Sequence, residues 1–375
     1  MNHRSFKLVT LFNIPVEINY SWFIILGLVI FSLARGYFPA TDPELPEAAH
    51  WLMAALAAIL LFASLLAHEF SHSLVAMRNN LPIHGITLFV FGGVAHLSKE
   101  PASPAVEFKM AAAGPAMSFF LAAIFFGLTQ TLYGFGLPGY ILSIFNYLFI
   151  LNLAVGVFNL IPGFPLDGGR LLRAALWHFF RDIKRATRLA SLFGKTFAFI
   201  LIAYGLLNLF AGSLITGLWF IFIGLFLQEA ADTSYQQIVM KKALTGVRVE
   251  SVMTRSVVTV PSEITIDKLV DEYFFRFRYT SFPVVKDDAL LGLITLHAVK
   301  EIEKERWPRV AAAEIMVPLS EKIVVSKDLD VIDALAKMAS IGSGRLLVAE
   351  DHKLIGILTQ RDVIRLFELK ARIEE

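Results

Sequence analysis

Apolar residues gather in long unbroken runs over the first 230 positions and in short stretches mixed with ordinary charge density after that, so the chain falls into two physically different regions. A helix needs about 20 apolar residues to cross a bilayer. Six runs meet or approach that length: about 19–36, 51–77, 109–132, 139–161, 194–211 and 213–229. Gly114-Pro115 interrupts the third without ending it, because neighbouring helices satisfy the backbone groups that a proline frees. Between the second and third runs, 81–100 is too short and too interrupted to span. There Ile86-Thr-Leu-Phe-Val-Phe-Gly92-Gly93-Val-Ala-His-Leu97 predicts two short strands about a Gly-Gly turn, a hairpin at the membrane face. After Leu227 comes a polar connector, 228–246, and then the chain repeats itself. Val252-Met253-Thr254 recurs as Ile315-Met316-Val317, and Leu291-Gly292-Leu293-Ile294-Thr295 recurs as Ile355-Gly356-Ile357-Leu358-Thr359, at offsets of 63 and 64 residues. Each copy predicts strand, helix, two strands and helix, and two copies form one pseudo-twofold unit. The domains expected are a membrane domain over 1–230, a linker over 231–246 and repeat copies over 247–308 and 309–375.

Composition sharpens this picture. With 56% hydrophobic and 18% charged residues, the chain is expected to be a multi-pass protein of the cell membrane. The net charge of +2 comes with no basic tract of the kind that binds nucleic acid. There is no cysteine, so any metal must rest on His, Asp or Glu. No small-residue cleavage site follows the first apolar run, which predicts a retained span rather than a cleaved signal peptide. Orientation follows from lysine and arginine in short connections. The stretch 37–50 has none, whereas 170–195 carries Arg170, Arg173, Arg181, Lys184, Arg185, Arg188 and Lys195. That side is expected to be cytoplasmic. Six spans then put both termini there, with Arg4, Lys7 and the repeat region.

The second run ends in chemistry. Trp51 to Ala67 carries no charge, and then comes His68-Glu69-Phe70-Ser71-His72. Ionisable groups this deep in an apolar helix are expensive unless they bind something. At i and i+4 the two imidazoles share a face and can converge on one metal ion, with Glu69 close enough to act on a water. His68 lies about 26 Å along its helix from Trp51 at 1.5 Å per residue, towards the cytoplasmic end. A zinc site needs a third ligand, and the best candidate is Asp167 in Asn159-Leu-Ile-Pro162-Gly-Phe-Pro165-Leu166-Asp167-Gly168-Gly169-Arg170. The prolines break the helix and the glycines allow unusual backbone conformations, so the carboxylate can be turned back from the end of the fourth span. The remaining named histidines, His50, His84, His96, His178, His297 and His352, lack a partner at ligand spacing and are expected to be structural or superficial.

Three functions stay open on these residues alone. One is an intramembrane zinc peptidase. The second is a membrane transport or binding protein with a non-catalytic metal site, gated by the repeat region. The third is a membrane-anchored peptidase whose site faces water and takes a downstream glutamate as third ligand. Glu69 favours a hydrolase, because a binding site needs the ligands but not the adjacent base. The apolar approach to His68 and the Leu166-Asp167-Gly168-Gly169 turn favour a membrane-embedded site.

His68-Glu69-x-x-His72, Gly114-Pro115 and Asn159-x-x-Pro162-x-x-Pro165-Leu166-Asp167-Gly168-Gly169-Arg170 together resemble the site-2 protease family of intramembrane zinc metalloproteases. The repeat resembles a pair of CBS (cystathionine-β-synthase-type) domains. The combination is similar to a bacterial and archaeal branch that includes a protease activating a sporulation sigma factor. The resemblance implies a polytopic α-helical membrane protein of about six transmembrane helices with a small membrane-face hairpin, followed by a soluble α/β tandem CBS module. It implies one Zn²⁺ on His68, His72 and Asp167, Glu69 as general base, and Asn159 placing substrate or the oxyanion. The implied substrate is a single-span or membrane-associated protein cut within or beside the membrane in regulated intramembrane proteolysis, under a regulatory membrane protein. The CBS pair would join a homo-oligomer and hold an adenine nucleotide, ATP or AMP, through Gly356, Thr359 and Asp362. In the first copy Ala298 stands where the acid belongs. The alternative within this reading is a CBS-gated transport or binding protein.

Overall fold

The computed structural model describes residues 5–90, 92–97, 101–351 and 353–374; Arg4 and His352 lie outside them, as does the side chain of His96. The chain divides into two units, one reaching Ile238 and the other beginning at Val239.

Six helices of the N-terminal region are long and apolar enough to cross a membrane: α1 (Ser21–Thr41), α2 (Glu47–Arg78), α3 (Pro104–Gly134), α4 (Gly139–Asn159), α6 (Ile183–Phe210) and α7 (Leu214–Leu244). A shorter helix, α5 (Asp167–Phe180), lies between the fourth and fifth. Several of these outrun the apolar stretches that announced them, because Lys, Arg and Glu end a hydropathy run but are good helix formers. Thus 170–195, read as a connection, is helical on both sides of Arg181, whose φ of 54° makes the break. The polar connector after Leu227 is likewise helical as far as Leu244. Caps mark two starts: Ser103 Oγ accepts from Val106 N at 3.4 Å before α3, and Asp182 Oδ1 accepts from Lys184 N at 2.9 Å before α6. Leu33, Phe38, Met53, Leu61, Ile144 and Leu148 form a bundle core with Ala54 and Ala57, whose small side chains let α2 approach its neighbours.

The expected hairpin exists, as β3 (Ile83–Phe89) and β4 (Gly92–Leu97), but its turn differs. Gly92 and Gly93 open β4, paired with Phe89 and Leu88, so the turn precedes them. A second hairpin was not expected: β1 (Ser5–Leu11) and β2 (Ile14–Asn19) complete a four-stranded sheet in the order β1-β2-β3-β4. Its signals are present in the sequence. Ile14, Val16 and Ile18 are buried and alternate with Pro15, Glu17 and Asn19, and Phe12 and Asn13 have φ of 50° and 63°, as a two-residue primed turn requires. Ile14, Val16 and Ile86 pack on Phe70, which fixes the sheet to α2 between the two histidines of interest. Among the described residues β4 pairs only with β3, so its outer edge is open.

In the C-terminal unit the repeat is visible as register. β5 (Val260–Pro261) runs parallel to β6 (Ser281–Lys286), which pairs antiparallel with β7 (Ala289–Thr295). β9 (Val324–Val325), β10 (Arg345–Glu350) and β11 (Lys353–Thr359) repeat that arrangement, and the shift in register falls at Val284/Val285 and at Val348/Ala349, 64 residues apart. β7 meets β11 at the centre, while β8 (Val317–Pro318) pairs with β7, giving one seven-stranded sheet. Each copy keeps its own apolar core, one around Phe282 and Ile294 and the other around Leu346 and Leu358.

Candidate metal centre

α2 places His68 and His72 one turn apart with rings 4.9 Å between centroids, both almost fully buried. Their Nε2 atoms are 3.2 Å apart. Asp167, the first residue of α5, brings Oδ2 to 3.1 Å from His68 Nε2 and 3.0 Å from His72 Nε2. The segment 160–166 delivers it, held to α6 by Phe164 N donating to Ala190 O at 3.3 Å. Gly168 and Gly169 do not form a turn, contrary to expectation. Both lie in the first turn of α5 without positive φ, and a Cβ on Gly169 would sit 2.6 Å from the carbonyl oxygen of Gly163. They are needed for close approach of α5 to the preceding loop.

The sequence did not reveal what stands behind the histidines. α3 crosses them, so that His72 Nδ1 donates to the carbonyl of Met110 at 2.6 Å and His68 Nδ1 meets Ser118 Oγ at 2.8 Å. Between these two, Gly114 lies flat against both rings, and a Cβ there would be 2.5 Å from His72 Cε1. Only the spacing 110, 114, 118, one face of a helix, could have hinted at this.

These partners decide the chemistry of the facing atoms. A carbonyl can only accept, so the proton of a neutral His72 sits on Nδ1 and its Nε2 presents a lone pair. For that neutral ring the lone pair points at a carboxylate oxygen 3.0 Å away, an approach that is attractive only with a proton or a metal ion between the two atoms. The donor set fits zinc. Tetrahedral zinc with ligands at about 2.0–2.1 Å holds its donor atoms roughly 3.3 Å apart, close to the separations present. A second ring nitrogen bound to a carbonyl or hydroxyl is the usual support of a metal-ligating histidine. Among the described residues His68, His72 and Asp167 are the one His/Asp/Glu cluster with this convergence.

Glu69, half-buried, lines a cavity of about 1030 Å³ shared with His68, His72, Asp167, Asn159 and Arg170. β4 passes over it so closely that a Cβ on Gly93 would lie 2.6 Å from Glu69 Cγ. Asn159 closes α4, with one amide N–H donated to Val155 O at 3.1 Å. Arg170 Nη1 stands 3.9 Å from Asp167 Oδ1. The rest of the cavity is largely apolar, with Ile24, Leu28 and Val29 from α1 and Trp219, Phe222 and Phe226 from α7. Elsewhere, His50 Nε2 lies 2.9 Å from the carbonyl of Asp42, and His297 is exposed beside Glu301.

In the C-terminal unit Thr359 and Asp362 form a helix cap at the start of Gln360–Glu374. Asp362 Oδ2 accepts from Thr359 N at 2.9 Å and from Thr359 Oγ1 at 2.6 Å. Thr295 keeps its half of that cap, accepting from Ala298 N at 3.2 Å, but Ala298 returns nothing. Gly356 is buried, and a Cβ there would meet Met253 Sδ at 2.7 Å, so its place is set by packing.

Six helices of membrane-crossing length around a buried His-His-Asp cluster define a class, polytopic membrane proteins with a candidate metal-hydrolase centre. The profile of "Peptidase family M50" matches residues 56–140 and 138–204, and that of the CBS domain matches 249–305 and 312–369. The chain is 37% identical over 356 residues to the Mycobacterium tuberculosis protein named "Putative zinc metalloprotease Rip3", covering 94% of this chain and 90% of that one. It is 30% identical over 378 residues to "Zinc metalloprotease MJ0392" of Methanocaldococcus jannaschii, over the full length of both. The solved "Site-2 Protease from Methanocaldococcus jannaschii" is 29% identical, with 62% of this chain and 95% of that chain covered and a TM-score of 0.42. The chain belongs to peptidase family M50, the site-2 proteases, and carries a tandem of CBS domains. It is a zinc metalloprotease of that type, which sets aside the transport reading.

Proposed function

We propose that the protein is an intramembrane endopeptidase that cuts a single-span or membrane-associated protein within or beside the bilayer, using His68, His72 and Asp167 as zinc ligands and Glu69 as general base. The observation that carries this reading is the meeting of His72 Nε2 and Asp167 Oδ2 at 3.0 Å, lone pair to carboxylate, in a buried site. His68 Nε2, His72 Nε2 and Asp167 Oδ2 would hold the ion. Bound there, zinc would supply a Lewis acid that acidifies water and polarises a peptide carbonyl.

The chain's own groups do the rest. Glu69 takes a proton from the attacking water and returns it to the leaving amine. Asn159 offers its second amide N–H to the substrate carbonyl. A substrate helix must unwind to expose a peptide bond, and the open edge of β4 accepts the unwound segment as an added strand. Gly93 lets that strand lie against Glu69. The apolar walls from α1 and α7 exclude bulk water and favour a membrane segment.

The basic residues of 170–195 against none in 37–50 support a cytoplasmic position for both termini and the CBS pair. In the second CBS copy, Asp362 Oδ1 remains for ribose hydroxyls of ATP or AMP; Ala298 removes that group from the first copy. Such a ligand, a regulatory membrane protein, or assembly of a homo-oligomer through the CBS pair would govern cleavage. Co-expression with candidate single-span substrates tests the core of this reading. Wild type should cleave one of them, and Glu69→Gln should keep its zinc while losing cleavage by about 10²–10⁴-fold. Cleavage by Glu69→Gln within threefold of wild type would remove Glu69 from the mechanism.

A further inference from the structure

Outside the site just described, the N-terminal unit buries an ion pair that no step above uses. Glu107, in the first turn of α3, has no exposed surface, and Arg173, in the second turn of α5, is 7% exposed. Arg173 Nε donates to Glu107 Oε1 at 2.6 Å, and Arg173 Nη2 reaches the same oxygen. The guanidinium also lies over the ring of Phe164, 5.1 Å from its centre. Arg173 therefore touches α3 and the loop that delivers Asp167, from the helix that Asp167 begins.

We propose that the Glu107–Arg173 pair is a positioning device for the metal-binding residues, fixing the helix that carries Asp167 to the helix that backs both histidines. This rests on the zinc reading above. Glu107 shares a face of α3 with Met110, Gly114 and Ser118, and Met110 is only about 4.5 Å further along the axis. Arg173 is six residues beyond Asp167, about 9 Å along α5 and about 120° round its axis. The pair thus pins the two helices within a turn of the point where α3 meets His72 and within two turns of Asp167. Packing stability does not account for it. Desolvating two charges offsets most of their attraction, and well-packed apolar residues of similar volume commonly do as well or better. What an apolar contact lacks is direction. Two N–H groups of one rigid guanidinium converging on a single carboxylate oxygen set both distance and direction, whereas an apolar contact leaves α5 free to slide by tenths of an ångström. Metal ligands tolerate only about ±0.2 Å.

The test uses the full chain in detergent, with Zn²⁺ and Co²⁺ as the probes. Affinity is read by competition with a chromophoric chelator, geometry by the visible spectrum of the Co²⁺ form, and fold by the melting temperature of the metal-free protein. In Glu107→Met/Arg173→Met, which removes both charges, the metal-free protein should melt within a few degrees of wild type. Its zinc affinity should fall about 10- to 100-fold, the usual effect of losing an outer support, and the Co²⁺ bands should shift. Arg173→Lys keeps the charge and loses the rigid guanidinium, and should give a smaller fall with the same spectral shift. The exchange Glu107→Arg/Arg173→Glu should recover part of the affinity. Zinc affinity within threefold of wild type and an unchanged Co²⁺ spectrum in both the double Met and the Lys variant would overturn the proposal. A fall in affinity that only parallels lost melting temperature would also overturn it, leaving the pair as fold support. If wild type itself binds no zinc, the metal-centre reading falls, and this one with it.

Discussion

Gly114→Ala adds one methyl group where α3 crosses the two histidines. Its Cβ would stand 2.5 Å from His72 Cε1 and closer still to both Nε2 atoms, where ordinary contact begins near 3.4 Å, so the rings must give way by at least 0.9 Å. There are two ways to do so. The helices can separate, an overpacking strain of about 1–3 kcal/mol. Alternatively the rings can turn, which breaks the bonds from Nδ1 to Met110 O and to Ser118 Oγ. Turning the rings carries both Nε2 atoms from Asp167 Oδ2 by several times the roughly 0.2 Å that a metal site tolerates, and separating the helices takes from the rings the Met110 and Ser118 partners that orient them. Zinc affinity should fall by at least about 100-fold, the upper end for losing an outer support, or about 2.7 kcal/mol. The assay is zinc per chain after dialysis against graded chelator, with cleavage measured alongside. Gly127→Ala is the control, because that glycine lies on the same helix with open space around it; it should keep both zinc and activity. If Gly114→Ala holds one zinc per chain as tightly as wild type and cleaves within threefold of it, the close packing of α3 on the ligands is not what shapes the site.

Ser118→Ala removes only the hydroxyl beside His68 Nδ1 and should weaken zinc about 10-fold with little loss of fold, as read by chelator competition; unchanged affinity would make Ser118 a packing residue. Reporter fusions within 37–50 and after Glu375 should give opposite signals, and the same signal from both would overturn the six-span orientation. Asp362→Ala should weaken ATP or AMP binding by the full chain about 10- to 100-fold in calorimetry, the worth of a charged hydrogen bond of about 1.5–3 kcal/mol. If neither nucleotide binds wild type, or both bind the variant equally well, the CBS pair serves assembly or substrate docking instead.

Local pattern alone was sufficient for the elements that depend on it. Apolar length announced six helices, a 64-residue period announced two paired copies, and the i, i+4 spacing of His68 and His72 put both rings on one face before any coordinates were known. It also singled out Asp167, 95 residues away from His72, by its residue type and setting. Charge misled the reading of helix ends, because hydropathy stops where Lys and Arg begin but the helical hydrogen bonds do not. The β1–β2 hairpin was legible as period-2 burial with a two-residue turn, yet its long neighbour, the first span, masked it.

The tertiary structure decided everything that depends on which surfaces meet. That Met110 offers a carbonyl and Ser118 a hydroxyl to the rings, that Gly114 and Gly93 are glycines for want of room, and that Gly168 and Gly169 pack rather than turn are properties of crossings between segments. The same holds for Glu107 and Arg173, two ordinary charges in the sequence, 66 residues apart, that become a buried pair only when α5 lies on α3. Local periodicity carries no information about such crossings, because backbone hydrogen bonds and apolar spacing specify each helix separately and side-chain packing between helices is what assigns their partners.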